Sequence, residues 1–271
     1  LIEGLKWLGL EWEGEPISQF ARASRHAEVA YDLLERGKAY KCYATAEELQ
    51  AFREAHPNEK FKSPWRDRTD GPADQPYAIR IRAPQDEEVM IVPDEVQGTV
   101  RVAHNELDDF ILLRSDSVPT YLLAVVVDDH DMDITHVVRG DDHLTNTFRQ
   151  NLIYLAMEWA VPVYAHVPLI HGPDGAKLSK RHGALGVGEY EKMGFLPEAM
   201  CNYLLRLGWS HGDEEIINRD QAIEWFKDLS DINKAPGRLD FKKMEAVNAH
   251  YIKEAGDQRL TDLVLAELQN R

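Results

Sequence analysis

The segment 133–170, DITHVVRGDDHLTNTFRQNLIYLAMEWAVPVYAHVPLI, decides how the chain is read. Residues 133–139 read as a short strand. Residues 145–159 place Phe148, Leu152, Leu155 and Ala156 on one face of a helix, and residues 164–170 read as a second strand. Strand, helix and strand of these lengths make a βαβ unit with a parallel sheet. The charged turn Arg139-Gly-Asp-Asp-His143 then falls at the carboxyl end of the first strand, where open α/β sheets bind ligands. The fold class expected is α/β.

Just downstream, residues 171–184 read HGPDGAKLSKRHGA. Lys177, Lys180 and Arg181, with His171 and His182, share a segment loosened by Gly172, Gly175 and Gly183. Glycines allow backbone N–H groups to approach an anion, and mobile ammonium groups add point charges, a set suited to a polyphosphate. The spacing is not that of a Walker loop. This loop follows the second strand, so two polar loops distant in sequence are expected to converge.

Upstream, residues 118–127 are almost continuously apolar, and periodicity does not separate a buried strand from a buried helix there. Asp128, Asp129, His130 and Asp131 follow. Four consecutive residues cannot all face one ion, so an acidic helix end is preferred to a metal site. Residues 23–36 form an amphipathic pattern, Thr45 opens a capping box with Glu48, and residues 77–82 alternate, so that Arg80 and Arg82 share one face and the isoleucines the other. Beyond the loop the pattern is helical: Pro197 suits N1 of a helix, and Asp220 and Asp240 are expected caps.

The chain has 271 residues, enough for one large domain or two to three smaller ones. Its net charge of −16 argues against non-specific nucleic-acid binding. A local basic track remains, since residues 60–82 hold six Lys or Arg against three Asp. No apolar run reaches membrane-spanning length, and Cys42 and Cys201 read as reduced thiols, so a cytoplasmic location is expected. Leu1, Ile2, Leu5 and Leu8 line one helical face with no cap before them, so the chain is expected to start inside a helix.

Lys177-Leu-Ser-Lys-Arg181 resembles the K-M-S-K-S motif of class I aminoacyl-tRNA synthetases, in the K-L-S-K-R form of glutamyl-tRNA synthetases. Further strings resemble bacterial glutamyl-tRNA synthetase: GLKWLGLEW (4–12), AYKCY (39–43), NELDD (105–109), VVDDH (126–130), RGDDH (139–143) and LRLGWSHGD (205–213). The resemblance runs nearly end to end. It implies a class I Rossmann catalytic domain, here its second half, with an α+β acceptor-binding insertion and a helical stem-contact domain. The expected division is 1–20 (end of the first Rossmann half), 21–117 (insertion), 118–172 (second half), 173–257 (stem-contact domain with the KLSKR loop) and 258–271 (start of an anticodon-binding region). The family's His-Ile-Gly-His motif, its N-terminal glutamate-reading arginine and most of the anticodon-binding region are not in the chain, so a middle section of a longer enzyme is expected. Some relatives hold zinc in the insertion through Cys-x-Cys. Only Cys42 is present here, with Ala44 in the second place, so no zinc is expected.

The implied reaction joins L-glutamate to glutamate tRNA through glutamyl-adenylate. ATP brings Mg2+, held mainly by phosphate. The resemblance assigns catalysis to Lys180 and Lys177. It assigns ATP contacts to Asp142, Ile170, Lys177, Leu178, Ser179, Lys180 and Arg181, and glutamate contacts to Tyr121 and Arg139. Arg66, Arg68, Arg80, Arg82 and His143 are assigned to tRNA. No protein metal site is expected, and the complete enzyme is expected to be a monomer. Charging of glutamine tRNA as well stays open. The alternatives are a glutamyl-queuosine type of tRNA(Asp)-modifying enzyme and a non-catalytic tRNA- or nucleotide-binding module.

Overall fold

The structure is a computed structural model and describes residues 2–57, 59–178 and 185–269. Ser179, Lys180 and Arg181, three of the expected ATP contacts, lie outside the described residues. In chain order the elements are α1 (Ile2–Trp7), α2 (Ala23–Glu35), β1 (Ala39–Cys42), α3 (Ala46–Ala55), β2 (Ala78–Ile81), β3 (Val89–Asp94), β4 (Gly98–Ala103), β5 (Ile111–Leu113) and α4 (Tyr121–Asp131). There follow β6 (His136–Gly140), α5 (Leu144–Met157), β7 (Val163–Val167), α6 (Val187–Lys192), α7 (Pro197–Gly208), α8 (Arg219–Trp225), α9 (Phe241–Glu254) and α10 (Asp257–Gln269). The chain divides into two units, Glu15–His166 and Leu1–Gly14 with Val167–Arg271.

In the first unit the decisive segment folds as β6, α5 and β7. Val163 N donates to Thr135 O at 2.9 Å, which joins the starts of the two strands and makes them run the same way. The sheet order is β4-β3-β7-β6. The hairpin β3–β4 pairs in register from Val89↔Ala103 to Asp94↔Gly98. It joins β7 in parallel at Asp94↔Tyr164. From sequence this hairpin falls inside the expected insertion, 21–117. The structure gives it the same sheet as β6 and β7, because Met90 and Val92 close onto the core that holds Leu152 and Tyr164. A second, antiparallel sheet has the order β1-β2-β5.

The ambiguous apolar run becomes the helix α4. Leu123, Ala124, Val126 and Val127 are buried at helical spacing, and Leu123, Val126 and Val127 share one core with Val29 and Leu33 of α2 and Phe148 of α5. The helix ends in the acidic run. Negative charge is unfavourable at a helix C-terminus, and α2 with the segment before it supplies the compensation. Asp128 accepts from Arg22 Nε at 2.6 Å, His26 Nε2 at 2.7 Å and Gln19 Nε2 at 3.1 Å. Asp131 accepts from Arg22 and from Arg25. Burial would raise the Asp128 carboxyl, but these bonds, first that from His26, hold it below its ordinary value.

In the second unit Leu8, just beyond α1, packs with Tyr190, Phe195, Met200, Tyr203 and Met244. Pro197 stands at the start of α7, and Asp240 caps α9 by accepting from Lys243 N at 3.1 Å. The cap of α8 is Asn218 rather than Asp220: it accepts from Gln221 N while Gln221 bonds back to Asn218 N. That reciprocal pair uses the Asn-x-x-Gln spacing, which leaves Asp220 inside the first turn. Among the described residues no helix is long and apolar enough to cross a membrane.

Candidate functional site

At the carboxyl end of β6 the chain delivers Arg139, half-buried. Its guanidinium is fixed by three neutral side chains. Nε donates to His166 Nε2 at 3.1 Å, and Nη2 donates to Gln150 Oε1 at 2.7 Å and Thr147 Oγ1 at 2.9 Å, with a longer contact of 3.4 Å to His143 O. Thr147 and Gln150 come from the first turns of α5, and His166 from β7. Thr147 and His166 are fully buried and Gln150 nearly so. Among the described residues no carboxylate lies within salt-bridge distance of Arg139, and Nη1 has no hydrogen-bond partner. Two nitrogens hold the side chain in place and the third keeps its donors.

Tyr121 begins α4 and is exposed, and its ring lies 5.9 Å from that of His143. Asn146 Nδ2 meets His143 Nδ1 at 3.1 Å. The structure thus gathers Tyr121, Arg139 and His143, three residues singled out from sequence, around one strand end. Asp142 sits in the short turn between β6 and α5. Asp129 adds a half-buried carboxyl: burial raises its pKa, against the opposing pull of the Arg139 charge.

Behind Arg139 lies a buried pair that sequence reasoning missed. His166 Nδ1 meets Asp94 Oδ2 at 2.5 Å, and both side chains are fully buried. Asp94 also accepts from His166 N at 3.2 Å, Val96 N at 3.1 Å and Gln97 N at 2.8 Å. Burial would raise the Asp94 carboxyl, but bonds from Gln97 and His166 bring it below its usual value. Burial pushes His166 below its usual value although Asp94 opposes this. A signal was available: Asp94 occupies an inward position in the alternation Met90, Val92, Asp94, where a carboxylate requires a partner.

In the other unit, residues 170–178 fold as a small hairpin. His171 bridges Lys177, Leu178 N donates to Ile170 O at 2.9 Å, and Gly172 N donates to Ala176 O at 2.8 Å. Gly175 turns at φ +78 and its N–H donates to Gly172 O. These glycines build a turn, so their N–H groups are used within it rather than aimed at an anion. Lys177 is exposed; Ile170 and Leu178 are half-buried.

The basic track differs from its expected form. Arg80 is buried, donates from Nη1 to Asp109 O at 2.6 Å and lies over the Phe61 ring. Arg66 pairs with Asp109 and donates to Ala83 O at 2.8 Å. Arg80 lacks the open position that a phosphate contact needs, because β2 lies between β1 and β5 and is covered on both faces. Arg68 and Arg82 are more open and pair with Asp70 and Asp67. Cys42 Sγ lies 3.3 Å from Ser63 Oγ. A cavity of about 910 Å³ in the unit of α7 and α8 contains none of the expected site residues.

The family model described as "tRNA synthetases class I (E and Q), catalytic domain" matches residues 1–246. The chain belongs to this family. Its mixed α/β fold is that of a class I Rossmann-type catalytic domain. Among curated relatives it is similar to Glutamate–tRNA ligase 2 of Rhodospirillum centenum, 61% identical over 277 residues and covering 100% of this chain and 59% of that protein. It is also similar to Glutamate–tRNA ligase 1 of Sphingopyxis alaskensis, 61% identical over 99% of this chain and 56% of that protein. The chain thus spans less than two thirds of these synthetases' length. A solved glutamate tRNA ligase from Elizabethkingia meningosepticum, in complex with its amino acid, superposes with a TM-score of 0.83 at 30% identity, covering 95% of this chain and 60% of that one.

Proposed function

We propose that this synthetase chain takes part in ATP-dependent ligation of L-glutamate to glutamate tRNA. A carboxylate oxygen of glutamate attacks the α-phosphorus of ATP, the bond from that phosphorus to the α,β-bridging oxygen breaks, and pyrophosphate leaves with the electron pair. A ribose hydroxyl of the tRNA 3′ end then attacks the adenylate carbonyl, releasing AMP. The single observation that favours this reading is the state of Arg139, a cation held by neutral acceptors with one nitrogen left over. A carboxylate is the partner that such a group lacks. Tyr121, exposed beside His143, is proposed as its companion on the amino acid.

Asp142, Ile170, Lys177, Leu178, Ser179, Lys180 and Arg181 are proposed as the ATP contacts, with Lys180 and Lys177 acting as charge on the leaving pyrophosphate grows. No protein nucleophile is needed, so positioning and electrostatics carry the step. Mg2+ comes with ATP, and zinc is not part of the proposal. Asp128 and Asp131 are already engaged by Arg22, Arg25 and His26, which leaves them poor candidates for an ion. Residues 21–117 are proposed as the acceptor-binding insertion, 118–172 as the second catalytic half and 173–257 as the stem-contact domain. Arg68 and Arg82 with His143 are the proposed tRNA contacts. Arg66 and Arg80 are reassigned to holding Asp109. A cytoplasmic monomer is the proposed state.

Glutamate-dependent ATP–pyrophosphate exchange by the full-length enzyme tests the reading. Lys180→Ala should lower the exchange rate at saturating ATP about a hundred- to a thousandfold. An unchanged rate with a raised ATP requirement would assign Lys180 to ground-state binding only.

A further inference from the structure

We infer that Asp94 and His166 are positioning residues for Arg139: a buried carboxylate–imidazole pair that fixes one histidine tautomer and, through it, the direction of the Arg139 guanidinium. The inference rests on Arg139 contacting the substrate carboxylate, as proposed above.

The tautomer follows from the donors. An arginine Nε–H can only donate, so His166 Nε2, 3.1 Å away, must accept and carries no proton. The proton therefore sits on Nδ1, where it is donated to Asp94 Oδ2 at 2.5 Å. Thr147 Oγ1, 3.2 Å from His166 Nε2 and 2.9 Å from Arg139 Nη2, ties the ring and the guanidinium a second time. The Tyr164 ring is stacked 6.0 Å from the imidazole. His166 and Asp94 are both fully buried, so water does not supply an alternative partner. A neutral imidazole orients Arg139 without cancelling its charge. A carboxylate in the same place would orient it equally well and neutralise it.

Two substitutions at one position separate positioning from packing. In His166→Asn the amide reaches the place of Nδ1, so the Asp94 contact can remain while the acceptor for Arg139 is lost. In His166→Gln the amide oxygen reaches the place of Nε2, so the acceptor remains and the Asp94 contact is lost. Asp94→Asn should reverse the tautomer: an Asn amide donates to Nδ1, the proton moves to Nε2, and Arg139 Nε then faces a donor.

The experiment is made on the full-length enzyme. It measures KM for glutamate and kcat in pyrophosphate exchange, with 15N NMR of the histidine ring nitrogens as a second readout. The expected result is a glutamate KM raised about tenfold in His166→Asn and Asp94→Asn, near wild type in His166→Gln, and ATP KM unchanged in all three. The NMR should show a protonated Nδ1 in the wild type and a protonated Nε2 in Asp94→Asn. Equal effects of Asn and Gln at position 166, or a protonated Nε2 in the wild type, would overturn the inference. Arg139→Ala is the control for the underlying reading. If it leaves glutamate KM unchanged, the assignment of Arg139 fails, while the NMR still decides the tautomer.

Discussion

Arg139 and Arg66 are both arginines drawn in from the surface, and they are held in opposite ways. Arg66 is paired with the carboxylate of Asp109, which also accepts from Tyr40 OH at 3.0 Å and Ala83 N at 2.9 Å. Its charge is cancelled where it stands. Arg139 is bound by an imidazole, an amide and a hydroxyl, and among the described residues no carboxylate reaches it. The difference is chemical rather than geometric. An arginine fixed by an anion ties the structure together, and an arginine fixed by neutral acceptors retains its attraction for an anion that arrives later.

The largest effect that sharpens this contrast is expected at Asp109. Asp109→Ala removes the anion but leaves the half-buried Arg66 charge, and breaking such a pair costs about 3–5 kcal/mol of stability. Urea unfolding should show this loss with glutamate KM unchanged in the active enzyme. A stable variant with raised glutamate KM would break the contrast. Arg139→Ala should do the reverse, weakening glutamate by about 1.5–3 kcal/mol, the worth of a hydrogen bond to a charged group. Calorimetric titration of glutamate checks it, and a loss of stability with unaltered affinity would make Arg139 another structural arginine.

Much of this fold was legible in the sequence. The βαβ segment, the capping box at Thr45, the start of α7 at Pro197 and the helical second unit all follow from local patterns. Arg139, Tyr121 and His143 were singled out, and the structure gathers them. Asp94 and His166 were not, because they lie 72 residues apart and become a pair only when β3 joins β7. Local periodicity carries no information on which strand a hairpin will choose. Arg80 was misread for the same reason: alternation marks two faces of a strand, and only tertiary structure says that both are covered.

A third effect is pH dependence of the unit that holds Arg139. Burial lowers the pKa of His166 in the fold, so between that value and the unfolded value of about 6.5 the unfolded chain binds more protons. Stability is therefore full above about pH 6.5 and declines as pH falls through the folded value. Asp94, also lowered, adds a further loss below about pH 3.9. Thermal melts across this range should show the first decline in the wild type and a weaker one in His166→Asn. A melting temperature that rises on acidification toward pH 5 would contradict the neutral imidazole. The smallest effect is expected at Arg68, which is exposed, and Arg82, which is half-buried. Arg68→Ala and Arg82→Ala should each reduce the salt slope of tRNA binding by about 1 with no change in stability. A large loss of stability in either would place it with Arg66 instead.

The turn between β3 and β4 has a consequence for how this chain tolerates changes of length. Surface hairpin turns usually accept inserted residues. Here a single carboxylate, that of Asp94, holds Val96 N and Gln97 N across the turn while gripping His166 from behind. The length of the turn is thus set by a group that also faces the interior. A residue added between Glu95 and Gln97 would force Asp94 to abandon either the turn or the imidazole, and a change made at the rim of the sheet would be felt at Arg139.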